Sequence, residues 1–487
     1  MAESWVNSAE RIGSDLHLEL SGGGSRRAAL SRALRAAVQD GRLTPGTRLP
    51  PYRSLAADLG IARNTVADAY AELVAEGWLT ARQGSGTRVA ERAAPPPGVR
   101  VPKRSAAAAR PAHNLVQGQP DTGSFPRTAW LAAARRALTA APNEAFGPGD
   151  PQGRIELRRA LAGYLARARG VRTTPERIVV CSGFAHALRL LFGGPGGGGG
   201  GGGGVLRGPV AVEAHGLGFH RSLLDAAKAR TLPLALDEHG ARVEELTGLP
   251  VPVRALLLTP AHQFPTGGPL HPGRRSAAVD WARTSGGLIL EDDYDGEFRY
   301  DREPVGAVQG LDPERVVYTG SVSKSLSPAV RLGWMVLPEH LVDAVVTAKG
   351  EREAWASVPD QLTLADLIDS GHYDRHVRRM RQRYRRRRDH LVAALAENAP
   401  HITVTGIAAG LHAVLRLPPG TEASAVKAAA WQGVGVEGLS DYRHPAAPDR
   451  APDGLVVGYA TPPEHAYAAA VEALCRVLPP PPGGPGL

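Results

Sequence analysis

A lysine flanked by hydroxyl groups and an arginine stands out in the second half of the chain. The segment runs Thr319-Gly-Ser-Val-Ser-Lys-Ser-Leu-Ser-Pro-Ala-Val-Arg331, so Ser321 and Ser323 precede Lys324. Serine hydroxyls and an arginine can neutralise a phosphate group, and a lysine amine can form a Schiff base with an aldehyde. This grouping is typical of a site for a phosphorylated aldehyde.

Two further segments carry the remaining parts of such a site. Asp292 and Tyr294 follow one apolar run, and Ser182, Gly183 and Phe184 follow another. A carboxylate keeps a pyridine nitrogen protonated, and the amides at the start of a helix can hold a phosphate. None of these signals is specific alone. Because each lies at the end of a predicted strand, together they predict a pyridoxal 5′-phosphate (PLP) site.

The elements that position these residues are short apolar runs separated by spans with helical periodicity. This alternation predicts an α/β domain with a mostly parallel or mixed sheet and helices on both faces. Ligands of such sheets bind at the carboxyl ends of the strands. The predicted strands are 177–181, 210–212, 254–258, 287–290 and 315–319.

The first ninety residues predict a smaller domain of a different kind. Apolar residues at helical spacing indicate helices near 30–40, 55–60 and 63–77, and two alternating segments around a Gly-Ser-Gly tip indicate a hairpin over 78–89. Three helices followed by a hairpin are the plan of a winged helix-turn-helix, whose third helix enters the major groove of DNA.

The charge of this small domain suits a polyanionic partner. Between Arg26 and Arg88 there are ten arginines and five acidic residues, a surplus of five positive charges. We expect promoter DNA as the partner, and a helical protein–protein adaptor with a solvated arginine face is the alternative. The predicted DNA-contacting residues are Arg53, Arg63, Asn64, Thr65, Arg82 and Arg88.

The overall composition excludes several other classes of protein. The net charge is +9, and the only two cysteines, Cys181 and Cys475, exclude a disulfide framework and a cysteine-based zinc site. No apolar run approaches the roughly 20 residues of a membrane helix. We therefore expect a cytoplasmic protein with no membrane partner and no metal.

Two segments of biased composition divide the chain. Residues 91–112 are rich in Pro, Ala and Arg, which predicts an extended linker. The stretch 193–204 contains nine consecutive glycines and predicts a loop insertion within the second domain. The predicted organisation is a DNA-binding domain over 1–90, this linker, and a PLP-binding domain over 113–480.

Both domains resemble known families. Residues 26–89, which include LPPYRSLAADLGIARNTVADAYAELVAEGWLTARQGSGTRVA, are similar to the DNA-binding domain of the GntR superfamily. The motifs PAHQFPTGG, LEDDYDGEFRY and YTGSVSKSLSPAVRLGW, within about 113–478, resemble the fold-type I aminotransferase domain. The two together resemble MocR/GabR-type transcription regulators.

The resemblance implies specific roles in a PLP site. It implies that Lys324 carries the cofactor, that Asp292 contacts the pyridine nitrogen and that Tyr294 contacts the ring 3-hydroxyl. It places Ser321, Arg331, Ser182, Gly183 and Phe184 around the phosphate. It also implies a homodimer and a small-molecule effector, either PLP or an amine or amino acid.

The chain departs from the aminotransferase pattern at three places. Leu217 stands where a ring-stacking tyrosine is usual, with His215 or Phe219 as possible substitutes, and Pro148 replaces another tyrosine. The C-terminal segment 454–460 lacks the arginine that binds a substrate carboxylate.

The missing arginine favours a ligand-sensing regulator, with Lys324 catalytic only if activity remains. Two alternatives stay open: a working aminotransferase with a DNA-binding appendage, and a regulator that has lost the cofactor.

Nine arginines crowd the segment Arg375–Arg388. The spacing of the apolar residues before it predicts a helix, so a solvated helix face is one interpretation of these arginines. An auxiliary contact with the DNA backbone is the other.

Overall fold

The computed structural model describes residues 18, 20, 24–82, 86–91, 111–147, 149–193, 204–300, 305–350, 356–447 and 452–481. The chain divides into two units, Met1–Ala109 and Arg110–Leu487. Most of the predicted linker, most of the glycine-rich stretch 193–204 and Pro148 lie outside the described residues.

The first unit is the predicted winged helix-turn-helix. Its helices are α1 (Arg26–Gln39), α2 (Tyr52–Asp58) and α3 (Arg63–Ala75), and its wing pairs β1 (Leu79–Arg82) with β2 (Gly86–Val89) in antiparallel register. Helix α3 packs against the rest of this unit through Val66, Tyr70 and Leu73, which lie on one face of the helix and are buried in the apolar core.

The centre of the second unit is a seven-stranded sheet. Its strands are β4 (Ile178–Cys181), β5 (Val210–Glu213), β6 (Thr231–Leu234), β9 (Ala255–Leu258), β10 (Leu288–Asp292), β11 (Val316–Ser321) and β12 (Gly333–Val336). They lie in the order β4-β12-β11-β10-β9-β5-β6. All neighbours pair in parallel except β12, which is antiparallel to both β4 and β11.

A smaller four-stranded sheet lies near the C-terminus, and sequence reasoning missed it. Its strands are β13 (Thr403–Thr405), β14 (Ala413–Arg416), β17 (Gly454–Val457) and β16 (Glu437–Gly438), in that order. Two minor pairings join β3 (His113–Asn114) to β15 (Val434–Gly435) and β7 (Leu236–Asp237) to β8 (Gly240–Ala241).

Helices accompany both sheets and bury their apolar faces in separate cores. Among the described residues, three apolar clusters form around the seven-stranded sheet and two around the smaller sheet. The helices are α4 (Arg127–Ala140), α5 (Ile155–Arg169), α6 (Phe184–Phe192), α7 (Gly218–Ala226), α8 (Pro272–Ser285), α9 (Val342–Lys349), α10 (Val358–Asp369), α11 (His372–Asn398), α12 (Glu422–Trp431) and α13 (Tyr467–Val477).

Candidate functional site

The register of the large sheet brings the predicted site residues to one edge. Asp292 ends β10 and pairs with Thr319, two residues before Ser321 ends β11. The antiparallel strand β12 then pairs its Gly333 with both Ser321 and Cys181, at the end of β4. The carboxyl ends of β4, β10 and β11 therefore meet, as expected for a ligand site in such a sheet.

A cavity of about 230 Å³ opens at this edge. All nine residues predicted to bind the cofactor line it. They come from the three strand ends and the turns that follow them. They are Ser182, Gly183, Phe184, Asp292, Tyr294, Ser321, Ser323, Lys324 and Arg331.

Lys324 lies in this cavity, where its surroundings make the neutral amine easier to form than in water. Its Nζ donates a hydrogen bond to the carbonyl oxygen of Gly118, in a segment near the start of the large unit. Burial lowers the pKa of the ammonium, although Asp295 and Asp292 oppose that shift. A neutral lysine amine is the nucleophilic form that attacks an aldehyde.

Asp292 is one of five buried carboxyl groups within seven residues. Burial and the neighbouring Asp293 raise the pKa of Asp292 well above its ordinary value, while Lys324 acts in the opposite direction. Burial likewise raises the pKa values of Glu291 and Glu297 to about 7. The carboxyl of Asp292 is therefore costly to ionise by itself, and a cationic group of a ligand beside it would stabilise its ionised form.

One buried ion pair compensates part of this acidic cluster. Arg169, at the end of α5, donates to both carboxylate oxygens of Asp293, from Nε at 2.6 Å and from Nη2 at 2.9 Å. Tyr318 donates its hydroxyl to the same carboxylate at 2.7 Å. Asp293 therefore ties α5 and β11 to the turn that carries Asp292.

The Tyr294 hydroxyl belongs to a second polar cluster beside the cavity. It lies 3.0 Å from Nδ1 of His262, and the same nitrogen lies 2.8 Å from Oδ2 of Asp295. His262 and Asp295 are buried, so this cluster fixes where the phenol points. Sequence reasoning quoted the motif that contains His262 without assigning this contact.

The end of the cavity that suits a phosphate is built from close backbone packing. Gly183 precedes α6 with φ +105°, a conformation that favours glycine. A Cβ on Gly333 would lie 2.7 Å from the Cα of Gly183, so glycine is required there as well. The start of α6, the hydroxyl of Ser321 and the guanidinium of Arg331 face this region together.

The histidines of the cavity were not all expected. His215 lines it, and both ring nitrogens are buried without a hydrogen-bond partner among the described residues. Phe219, the other suggested substitute for a stacking tyrosine, is 55% exposed, while Leu217 and His220 line the cavity. Burial lowers the pKa values of His215 and His220 to about 4, so both rings are neutral near pH 7.

Arg221 and Glu213 are the charged residues of the cavity that sequence reasoning missed. Glu213 is the last residue of β5, and Arg221 lies in α7, the helix that follows this strand. The end of β5 lies on the same sheet edge as the cavity, so the position of these residues after a predicted strand could have identified them. Arg221 donates to the carbonyl oxygens of Gly216, Tyr442 and Arg443. Segment 454–460 contributes no side chain to the cavity.

The donor set around the cavity fits PLP. It offers a lysine amine, a buried carboxyl for a pyridinium nitrogen, a phenol, and a hydroxyl–guanidinium–helix group for a phosphate. The unpartnered ring nitrogens of His215 also point to a polar ligand, since buried polar groups are normally hydrogen-bonded.

The predicted DNA-contacting residues cluster on the first unit as the motif requires. Arg63, Asn64 and Thr65 form the first turn of α3, Arg53 lies in α2, and the remaining two arginines lie in the wing. Five of the six are exposed, and Thr65 is half-buried. Arg88 also donates to the carbonyl oxygen of Gly46 at 2.9 Å, which orients it on the wing.

Comparisons with known proteins agree with this two-part architecture. The family "Bacterial regulatory proteins, gntR family" matches residues 27–89, and "Aminotransferase class I and II" matches residues 111–193 and 246–446. The chain is 32% identical over 434 residues to the pyridoxine biosynthesis transcriptional regulator PdxR of Corynebacterium glutamicum, covering 88% of this chain and 91% of that protein. It is 33% identical over 456 residues to the probable rhizopine catabolism regulatory protein MocR of Rhizobium meliloti, covering 88% and 89%.

A solved structure shows the same fold for the large unit. The kynurenine aminotransferase of Pyrococcus horikoshii, solved with PMP, superposes with a TM-score of 0.65 at 24% identity, covering 75% of this chain and 90% of that one. The fold and the site thus define a DNA-binding regulator with an aminotransferase-like unit. Proteins of the aminotransferase class I and II family depend on PLP. The chain belongs to the gntR family of bacterial regulatory proteins, in the MocR-type group that joins this helix-turn-helix to an aminotransferase class I and II domain.

Within the described part of the chain, no helix is both long enough and apolar enough to cross a membrane. The same residues include no cluster of three or more potential metal ligands.

Proposed function

We propose that this protein is a transcription regulator that binds PLP covalently through Lys324 and changes its hold on promoter DNA in response. The observation that carries the proposal is the convergence of nine predicted cofactor residues on one cavity around a half-buried lysine. The relatives of this architecture are transcriptional regulators, which supports the same conclusion.

Each residue then has a definite task. Lys324 attaches the aldehyde, Asp292 faces the pyridine nitrogen, and the phenol of Tyr294 holds the ring 3-hydroxyl. The phosphate is held by Arg331 and by the hydroxyls and amides at the phosphate end of the cavity, described above. When bound, PLP supplies an electron-withdrawing ring linked to the lysine through an imine.

PLP itself is the effector that the cavity suits best. The wall beside the lysine carries neutral histidines. Among the described residues that line the cavity, the one arginine besides Arg331 is Arg221, which already donates to three carbonyl oxygens. A substrate carboxylate therefore lacks a dedicated cation here. The relative from Corynebacterium glutamicum is named for pyridoxine biosynthesis, which agrees with a cofactor-sensing role.

An absorption spectrum tests the covalent attachment. The purified protein mixed with PLP should show a visible band that borohydride bleaches, leaving the cofactor irreversibly attached. Lys324→Ala should abolish the band, whereas Lys427→Ala, an exposed lysine of α12, should leave it unchanged. A visible band of full intensity in the Lys324→Ala protein would overturn the assignment.

The alternative function is catalysis by the same site. The presence of Lys324 and Asp292 in one cavity, where each influences the pKa of the other, is the observation that favours it. Incubation of the loaded protein with a panel of amino acids and keto acids decides between the two. Multiple turnovers would show an aminotransferase, and none would be expected from a sensor.

We further propose that the protein is a cytoplasmic homodimer held by the large unit, with two DNA-binding heads that read repeated half-sites. The large unit carries the aminotransferase fold, whose resembling enzymes build their sites at a dimer interface. Light scattering of residues 113–487 with PLP should give a dimer, and a monomer at micromolar concentration would contradict this.

Deletion of residues 26–89 should abolish promoter binding.

A further inference from the structure

Helix α11 (His372–Asn398) concentrates nine arginines and no lysine, and seven of them form two groups. Of the other two, Arg381 donates to the carbonyl oxygen of Glu297 and Arg388 is half-buried. The inward group is paired. Arg387 is buried and donates to Asp121 and Glu464, and Arg383 contacts the same two carboxylates. For these two, the expectation of a solvated face was wrong, because they join α11 to the segments on either side of it.

The outward group is exposed and has little compensation. It comprises Arg375, Arg378, Arg379, Arg385 and Arg386. Only Arg385 has a carboxylate within 4 Å among the described residues, Asp389 at 3.9 Å. The others contact neutral groups, such as a main-chain carbonyl oxygen or a histidine ring, or make no recorded polar contact in the described part of the chain.

These five residues form one stripe along the helix, which we call the outer arginine stripe. Their spacing of three, four and seven residues places them on a common face. From Arg375 to Arg386 the stripe extends about 16 Å, at roughly 1.5 Å per residue. Like charges at this spacing repel, so the stripe destabilises its own helix unless an anion lies against it.

The chemistry of the stripe selects a phosphate polymer. A solvated helix face usually mixes both signs of charge. Beside this stripe α11 carries two aspartates, and one of them, Asp374, already pairs with Arg167 at 2.9 Å, which leaves Asp389. Guanidinium groups bind phosphates bidentately and hold them better than ammonium groups. One DNA strand presents a phosphate about every 3.4 Å along the axis, so 16 Å of helix faces about five of them.

The DNA-binding function of the first unit explains which phosphate polymer is available to the stripe. A regulator whose first unit is bound to promoter DNA has the flanking duplex at a high effective concentration around its large unit. We propose that the outer arginine stripe of α11 is a second DNA-binding surface, which holds the phosphates of flanking duplex without reading base sequence. Contacts with phosphates carry no sequence information directly, so the contribution of the stripe is electrostatic.

A salt titration with full-length protein tests the proposal. Fluorescence anisotropy measures binding to a labelled 60-base-pair duplex of arbitrary sequence from 50 to 300 mM salt. The variant Arg378→Gln/Arg379→Gln/Arg386→Gln should lower the slope of log K against log salt by about 0.9 per lost phosphate contact, up to about 2.7. The matched control is Arg207→Gln/Arg230→Gln/Arg416→Gln, three exposed arginines elsewhere on the large unit.

The two triple variants have the same net charge, so only a local contact separates them. Equal slopes for both variants, whether lowered or unchanged, would overturn the proposal. Replacement of the same three stripe residues by lysine should restore most of the slope, because the charge returns. Failure of that rescue would also count against a phosphate contact. Thermal unfolding of each variant verifies that the fold is intact: all six residues are exposed, so the unfolding temperature should be no lower than that of the wild type.

Discussion

Arg169→Met is the substitution that most directly tests how the scaffold supports the cofactor site. Arg169 and Asp293 have side chains that are 4% and 2% exposed, and Arg169 donates twice to the carboxylate of Asp293. The substitution keeps much of the side-chain volume and removes the cation. Among the described residues, Tyr318 then remains as the only side chain that donates to this buried carboxylate, which lies beside Asp292.

The magnitude follows from the cost of an uncompensated buried charge. Breaking such a pair from one side costs about 3–5 kcal/mol in the free energy of unfolding. The large unit, Arg110–Leu487, has roughly 380 residues, so its unfolding entropy is about 0.8 kcal/mol per kelvin. The unfolding temperature of this unit should therefore fall by about 4–6 °C.

Calorimetry of the full chain provides the assay, and the same helix provides the control. Arg167 pairs with Asp374 at 2.9 Å, but its side chain is 61% exposed, so Arg167→Met should cost less than about 1 kcal/mol. The double variant Arg169→Met/Asp293→Asn removes the orphaned charge and should recover most of the loss. An Arg169→Met protein that melts within 1 °C of the Arg167→Met protein would refute the reasoning.

Three other perturbations have definite expected outcomes. Burial raises the pKa of Glu213 from its ordinary 4.5 to about 7, so the folded protein loses stability as the pH rises between these values. In urea unfolding, Glu213→Gln should therefore be more stable than the wild type at pH 8, by up to about 3 kcal/mol, and equally stable at pH 4. Gly333→Ala places a Cβ against Gly183 and should weaken PLP binding at least tenfold by fluorescence titration, with the fold retained; unchanged affinity would contradict the close packing. His262→Phe removes the hydrogen bond at the hydroxyl of Tyr294 and should lower PLP affinity by up to about tenfold, since one such bond contributes about 0.5–1.5 kcal/mol. A Tyr294→Phe background should make that second substitution nearly silent.

Sequence reasoning located the strand ends well because their signal is local. The predicted runs 177–181, 287–290 and 315–319 are mostly apolar, as expected for strands buried on both faces, and the structure extends the last two to Asp292 and Ser321. Polar residues directly after such runs were then the natural candidates for a site. All nine cofactor candidates consequently share one cavity.

The parts that escaped prediction depend on contacts distant along the chain. The smaller sheet pairs β14 with β17, about forty residues later, and its strand Glu437–Gly438 is too short to leave a pattern. His215 is buried through a bridge to Arg443, more than two hundred residues away. Local periodicity carries no information about such pairings.

The hydrogen bond from Lys324 to Gly118 gives one amino group two competing uses. Gly118 belongs to segment 113–119, which Thr461 also anchors by donating its hydroxyl to Val116 at 2.7 Å. A nitrogen that is covalently bonded to a ligand has fewer hydrogens to donate, so occupancy of the lysine loosens the anchoring of Gly118. By reciprocity, a pull that detaches this segment frees the amine for its ligand. The covalent occupancy of a single lysine and the attachment of segment 113–119 to the rest of the large unit are therefore thermodynamically coupled quantities.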